Sequence, residues 1–318
     1  MRRELYAALA ASLLATSASA QEVTLRAVSS FTEKTLFSKN FERFIDHVNE
    51  VGKGQVKINY IGGPRAVPPF EVGNALRTKV VDMANVPGAF YTNLMPEADA
   101  GKLIGKPMDV QRKVGLWDLL NQLHNQKVNA QYLARQMPNV PFHIYLNKKI
   151  EKLDFTGLKI RVTPIYKDVV DALGGTPITI PPGEVYTALE RGVVDGYGWP
   201  ILGIFDLGWE KGTKFRVEPS FYSTEVNVLV NLDVWKGLTD AQRKVLNDAA
   251  LWLEGLDREN EGLMKAEIER QTAAGIQPLN FGPAESKRFV DMAYEVGWRA
   301  LIKRSPENGP KLRQLAGN

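Results

Sequence analysis

The chain has 318 residues, 44% hydrophobic and 24% charged, a globular composition that excludes a disordered or low-complexity protein. Its net charge of +4 comes from lysines and arginines spread along the chain, the densest group being Lys148, Lys149 and Lys152 in an expected solvated loop, so no nucleic-acid-binding patch is expected. The absence of cysteine excludes disulfides and a lipid-modified cysteine anchor.

Residues 1–20 read as an export signal. Arg2 and Arg3 precede a mostly apolar run from Leu5 to Ala15, and Ala18-Ser19-Ala20 has the A-x-A form of a cleavage site. The run is too short to anchor in a bilayer, and no later stretch is long and apolar enough to cross one. A soluble protein exported to a Gram-negative periplasm is the expectation. The chain beyond the signal, roughly 300 residues, has room for one large or two ordinary domains.

The alternation of Val23, Leu25 and Ala27 predicts a first strand, and Phe37, Phe41, Phe44, Ile45 and Val48 an amphipathic helix ending near Gly52. Val56, Ile58 and Tyr60 predict a second strand. A loop with Arg65 leads to a helix carrying Phe70, Leu76 and Val80, then a third strand over 81–87 and a turn through Tyr91. Residues 95–110 lack a clear period. Trp117, Leu120, Leu123 and Val128 predict a helix reaching about Met137, and Phe142 to Leu146 a strand that crosses between lobes.

From 158 to 200 the pattern is strand, helix, strand, helix, strand, the grammar of a parallel α/β sheet. Leu158, Ile160 and Val162 share one strand face, and Lys159, Arg161 and Thr163 the other. Arg161 therefore falls near the carboxyl end of a strand, the edge of an open α/β sheet where ligands bind. On pattern alone it reads equally as a solvent-facing arginine or half of a surface ion pair. Further strands are expected over 213–218 and 223–232, the second forming the return crossing. Thr239 with Gln242 has capping-box form and opens a helix of some 35 residues to Gly275, roughly 50 Å at about 1.5 Å per residue. A short strand and a last helix from Pro283 close the chain.

Gly157-Leu158-Lys159-Ile160-Arg161-Val162, Ala172-Leu173-Gly174-Gly175-Thr176-Pro177, Glu184-Val185-Tyr186-Thr187-Ala188-Leu189 and Gly192-Val193-Val194-Asp195-Gly196 stand in this order within about forty residues. In this register they resemble the DctP-type solute-binding proteins of TRAP transporters, and looser similarity covers most of the chain beyond the signal. The resemblance implies a two-lobed periplasmic binding protein fold, each lobe a mainly parallel sheet flanked by helices, with the long helix bracing both. The expected division is 21–142 plus 232–255 in lobe I and 143–231 plus 256–318 in lobe II, with hinge crossings near 142–147 and 223–232. It also implies a receptor that works with small and large membrane subunits, with Arg161 holding the carboxylate of an organic acid. A monomer without cofactor is expected.

Enzymatic patterns are weak. His47, His124 and His143 lie in unrelated segments without metal-ligand spacing, so no metal site is expected. The first two read as surface residues. His143, on the crossing strand, reads as cleft-facing or as a satisfied structural histidine. No nucleophile, phosphate or dinucleotide motif appears. Trp199, between Gly198 and Pro200, is expected at a strand-to-helix turn where it packs on the ligand. Family members that bind sugar acids or dicarboxylates often carry asparagine there and an acid at 198, so an apolar, aromatic ligand body is favoured. Phe31, Tyr91 and Tyr197 are candidates either for the cleft or for the core, as is Trp209, with Phe31 and Trp209 favoured for the core. Phe142 stands near a position where a sialic-acid-binding branch has a second arginine. Arg65 reads as a second positive group or an exposed side chain, and Asn227 as a polar partner. A secreted two-lobed enzyme acting on an anionic substrate and an ABC-transporter receptor remain alternatives.

Overall fold

The computed structural model describes residues 21–317; the expected export signal lies outside the described residues. The chain begins β1 (Val23–Ser29), α1 (Leu36–Val51), β2 (Val56–Gly62), α2 (Val72–Arg77) and β3 (Met83–Val86). The apolar stripe of α1 is buried through Phe37, Phe41, Phe44, Ile45 and Val48. The helix stops at Gly52, where a Cβ would meet the Val48 carbonyl at 2.7 Å. After 3-10 turns over 88–90 and 96–103 come α3 (Met108–Lys113), α4 (Leu116–Val128) and β4 (Ala130–Gln136).

Here the structure corrects the expectation of a helix to Met137. Ala130 to Gln136 consists largely of good helix formers, but Asn129, at φ 49°, ends α4 in the left-handed region, and β4 pairs antiparallel along a later strand. Long-range pairing overrides local propensity. His124, expected at the surface, is buried on the core face of α4 with Leu120 and Leu123.

The second half runs β5 (Pro141–Leu146), β6 (Lys159–Val162), α5 (Lys167–Ala172), β7 (Thr176–Thr179), α6 (Val185–Glu190), β8 (Gly196–Pro200), β9 (Phe215–Val217), β10 (Tyr222–Ser223) and β11 (Val226–Asn231). It closes with α7 (Leu232–Gly237), α8 (Asp240–Gly255), α9 (Asn260–Ala273), β12 (Gln277–Leu279), α10 (Pro283–Arg304) and α11 (Gly309–Ala316).

Two sheets form two lobes. The first has the order β2-β1-β3-β11-β4, and the second β12-β9-β5-β8-β6-β7 with β10 on β5. Both are mixed. The parallel pairs β1/β2, β1/β3, β6/β7 and β6/β8 come from the strand–helix–strand units legible in the sequence, while β5 and β11 enter antiparallel. β5 lies wholly in the second sheet and β11 wholly in the first, so the chain changes lobe in the short segments 137–140 and 224–225, beside those strands. This differs from the expected assignment of residues up to 231 to the second lobe. α11, also expected there, packs on α4 of the first.

The long helix is nearly continuous. Thr239 and Gln242 complete the capping box at its start, and a 3-10 turn over 256–259 separates α8 from α9. α8 packs on α1 and β4 of the first lobe. From α9, Gln271 donates to the Ile201 carbonyl (2.8 Å) and accepts from Arg216 (2.7 Å) in the second. At the turn between them, Asp257 accepts from the Met137 N–H at 2.9 Å, tying the first crossing to the brace.

Candidate functional site

Between the lobes lies a narrow cavity of about 50 Å³. The first lobe contributes Phe31, Phe37, Pro87, Ala89, Phe90 and Lys102. The second contributes Phe142, Thr163, Trp199, Pro200 and Ser223, the return crossing adds Thr224 and Glu225, and β11 adds Val226. Aromatic rings dominate. Phe31 and Phe37 lie 5.2 Å apart, and Phe37 meets Trp199 edge-on at 5.7 Å across the lobes.

Trp199 is in the middle of a sheet, paired in register with His143 on β5, and not at a strand-to-helix turn. A neighbouring glycine explains its setting. A Cβ on Gly198 would lie 2.4 Å from the Tyr166 ring, so the bare strand leaves room for that ring, whose hydroxyl donates to the Gly198 carbonyl at 2.8 Å.

Arg161 stands directly behind this wall, with no exposed surface. Its Nε donates to the Ile180 carbonyl at 2.8 Å, and its Nη1 to the Tyr166 hydroxyl at 3.2 Å. The guanidinium lies 5.6 Å from the Trp199 ring and 5.7 Å from that of Trp209. Its Nη2 is buried without a hydrogen-bond partner, and among the described residues no carboxylate pairs with it. Burial lowers its pKa, opposed by the Tyr166 oxygen. A buried arginine is ordinarily paired. This one has a donor to spare, next to an apolar cavity.

Of the other residues singled out in the sequence, Phe31 and Phe142 line the cavity with Trp199. Tyr197 is buried below, stacked on Tyr145 and bonded to the Thr213 hydroxyl at 2.7 Å. Arg65 is exposed on the loop after β2. His143 holds the Val217 carbonyl at 3.1 Å and borders a separate groove with Arg216 and Glu218; burial lowers its pKa.

Tyr91 and Asn227 belong to a buried chain of hydrogen bonds. Because the Leu120 carbonyl accepts from His124 Nδ1 at 2.7 Å, Nε2 is the acceptor and receives a hydrogen bond from the Tyr91 hydroxyl at 2.9 Å. Asn227 donates to the Tyr91 oxygen and accepts from Tyr132 at 2.8 Å. Burial pushes the His124 pKa down to about 4, which keeps the ring neutral and the chain in one direction.

Sequence reasoning missed Phe37, Phe90, Lys102, Thr224 and Glu225. Lys102 lies in the stretch without a period, held by Asp99 at 2.6 Å; burial lowers its pKa. Glu225 carried a signal: it is one charge directly before the strand that carries Val226, Val228 and Val230.

No group of acidic or histidine side chains among the described residues could hold a metal ion, and no helix among them is long and apolar enough to cross a membrane.

The profile of bacterial extracellular solute-binding protein, family 7 (DctP), matches residues 28–302. The monocarboxylate 2-oxoacid-binding periplasmic protein of Nostoc sp. is 24% identical over 221 residues, which cover 66% of this chain and 60% of that relative's length. A TRAP periplasmic solute-binding protein of Desulfovibrio salexigens, solved with bound orotic acid, superposes with a TM-score of 0.82 at 21% identity, covering 92% of this chain and 97% of that one. The Bordetella pertussis receptor DctP7, which binds pyroglutamic acid, gives 0.81 at 18% identity, covering 93% and 100%. With the profile spanning most of its length over this two-lobed frame, the chain belongs to the DctP family of bacterial extracellular solute-binding proteins.

Proposed function

We propose that this chain is the periplasmic receptor of a TRAP transporter, binding a small organic acid between its lobes and delivering it, unchanged, to the membrane subunits. The observation that carries this reading is Arg161: a buried guanidinium with an unpartnered Nη2, behind the Trp199 ring that lines the cavity. A carboxylate matches that fork, supplying the missing acceptor and the missing negative charge in one group. Relatives solved with orotic and pyroglutamic acids support the ligand class.

Phe31, Phe37, Phe90, Phe142 and Trp199 would surround the body of the ligand, and a flat apolar or aromatic acid suits them better than a sugar acid. Each sugar hydroxyl left without a partner would cost about 1–3 kcal/mol. Because Trp199 stands between cavity and guanidinium, the carboxylate reaches Nη2 only as the wall gives way. Binding and lobe movement about the segments 137–140 and 224–225 are then coupled. Tyr91, Tyr197, His143 and Asn227 act in this scheme by holding the strands, and Arg65 has no part in it.

A thermal-shift screen of organic acids against their neutral amides tests the reading. An acid at about 100 times its dissociation constant adds roughly 2.7 kcal/mol of stability. Stabilisation by acids and not by amides supports the receptor; no stabilisation by any acid, or turnover of one, contradicts it.

A further inference from the structure

We infer that Glu225 reads a second feature of the ligand, so that the solute is an acid carrying a hydrogen-bond donor on its body, a ring N–H being the kind that fits between aromatic walls. The inference rests on the receptor reading above and narrows it.

Two charged groups line the cavity, Lys102 and Glu225. The lysine charge is met by Asp99 at 2.6 Å. Glu225 is 8% exposed and forms no ion pair among the described residues. Its Oε1 accepts from the Gly88 N–H at 2.7 Å. A Cβ on Gly88 would lie 2.3 Å from that oxygen, and one on Gly101 would lie 2.5 Å from the carboxyl carbon. Bare backbone from two segments of the first lobe is therefore pressed against this carboxylate, which holds it rigidly in the wall. Arg135, itself fully buried, lends charge from behind but donates to the Gly101 carbonyl and Gln111. A carboxylate has about four acceptor sites, so capacity remains after the Gly88 N–H and the Asn227 side chain are served.

An acid with a purely apolar body would seal this group from water and return nothing, an unfavourable exchange. A body with an N–H replaces the lost water with a charge-assisted bond. Arg161 and Glu225 would thus read opposite chemistries, an anion and a donor, on one small molecule.

Pyrrole-2-carboxylate and furan-2-carboxylate have nearly the same shape and differ in presenting N–H or a ring oxygen. Calorimetry on the wild-type protein should find the pyrrole acid bound about tenfold or more tighter, since a site built for a donor rejects the analogue that lacks it. In Glu225→Gln the ratio should fall to about threefold or less, because an amide accepts weakly and can itself donate. Furan binding equal to or tighter than pyrrole overturns the inference, as does a ratio that survives Glu225→Gln, or failure of the pyrrole acid to bind at millimolar concentration. The wild-type comparison stands even if the variant misfolds. Arg161→Lys separates the two readings: if it weakens both acids while the ratio is near one, the receptor reading stands and this one fails.

Discussion

Asp206, in the second lobe, accepts a 2.7 Å hydrogen bond from the Leu36 N–H at the first turn of α1 in the first lobe. Thr35, at the N-cap position of α1, makes no side-chain cap of its own. The acceptor that the helix start lacks is supplied across the cleft, beside the Phe37–Trp199 contact. An acidic group at a helix N-terminus is favourable for hydrogen bonding and for the helix dipole. The contact exists only while the lobes are together.

Asp206→Ala should therefore weaken ligand binding by about threefold, mostly through faster release. Stopped-flow dissociation checks this. An unchanged off-rate means the contact does not favour closure.

Trp199→Leu keeps an apolar wall but removes the flat ring. Aromatic acids should lose about 0.5–1.5 kcal/mol more affinity than short aliphatic acids of the same charge. Calorimetry on a matched pair measures the difference. Equal losses would assign Trp199 to packing against Phe37 and Trp209 alone.

Burial, with the Glu254 charge adding to it, pushes the Asp257 carboxyl up to about 7, against the Met137 N–H, Asn260 and Arg135. A group that binds its proton more tightly when folded favours folding at low pH, and that contribution is lost as pH rises through its raised pKa. Wild-type stability should fall relative to Asp257→Asn between about pH 4 and 7, by on the order of 4 kcal/mol. His124 acts in the opposite sense over part of this range but is common to both proteins. Urea unfolding at a series of pH values gives the difference. Parallel curves contradict the assignment.

The strand–helix–strand units were legible because each writes its period locally: Val23 to Ser29 alternates, α1 carries one apolar stripe, and Gly174 and Gly192 end helical runs with positive φ. The ends of those runs were less so. Ala130 to Gln136 is helical by composition and a strand only because β11 lies beside it. The site divides in the same way. Arg161 was placed at a strand end by pattern and given a role by resemblance, while nothing local distinguishes it from a surface arginine. Phe37 reads as one more core position of α1, and its place in the cavity wall depends on how the second lobe sits against the first. Lys102 falls in a stretch whose 3-10 geometry has no apolar period to read. Gly198 looked like a lost polar partner, and in the fold it is the space that the Tyr166 ring fills.

The role of Arg161 is tested most directly by the affinity of Arg161→Lys for an acid that stabilises the wild-type protein. Lysine keeps the positive charge but not the planar fork, so Nη2 has no counterpart. Calorimetry should show a loss of about 2–5 kcal/mol, the range for truncating one partner of a buried charged pair, with the far-ultraviolet circular dichroism unchanged. Binding within a factor of a few of wild type would contradict the assignment of Arg161 as the group that holds the carboxylate.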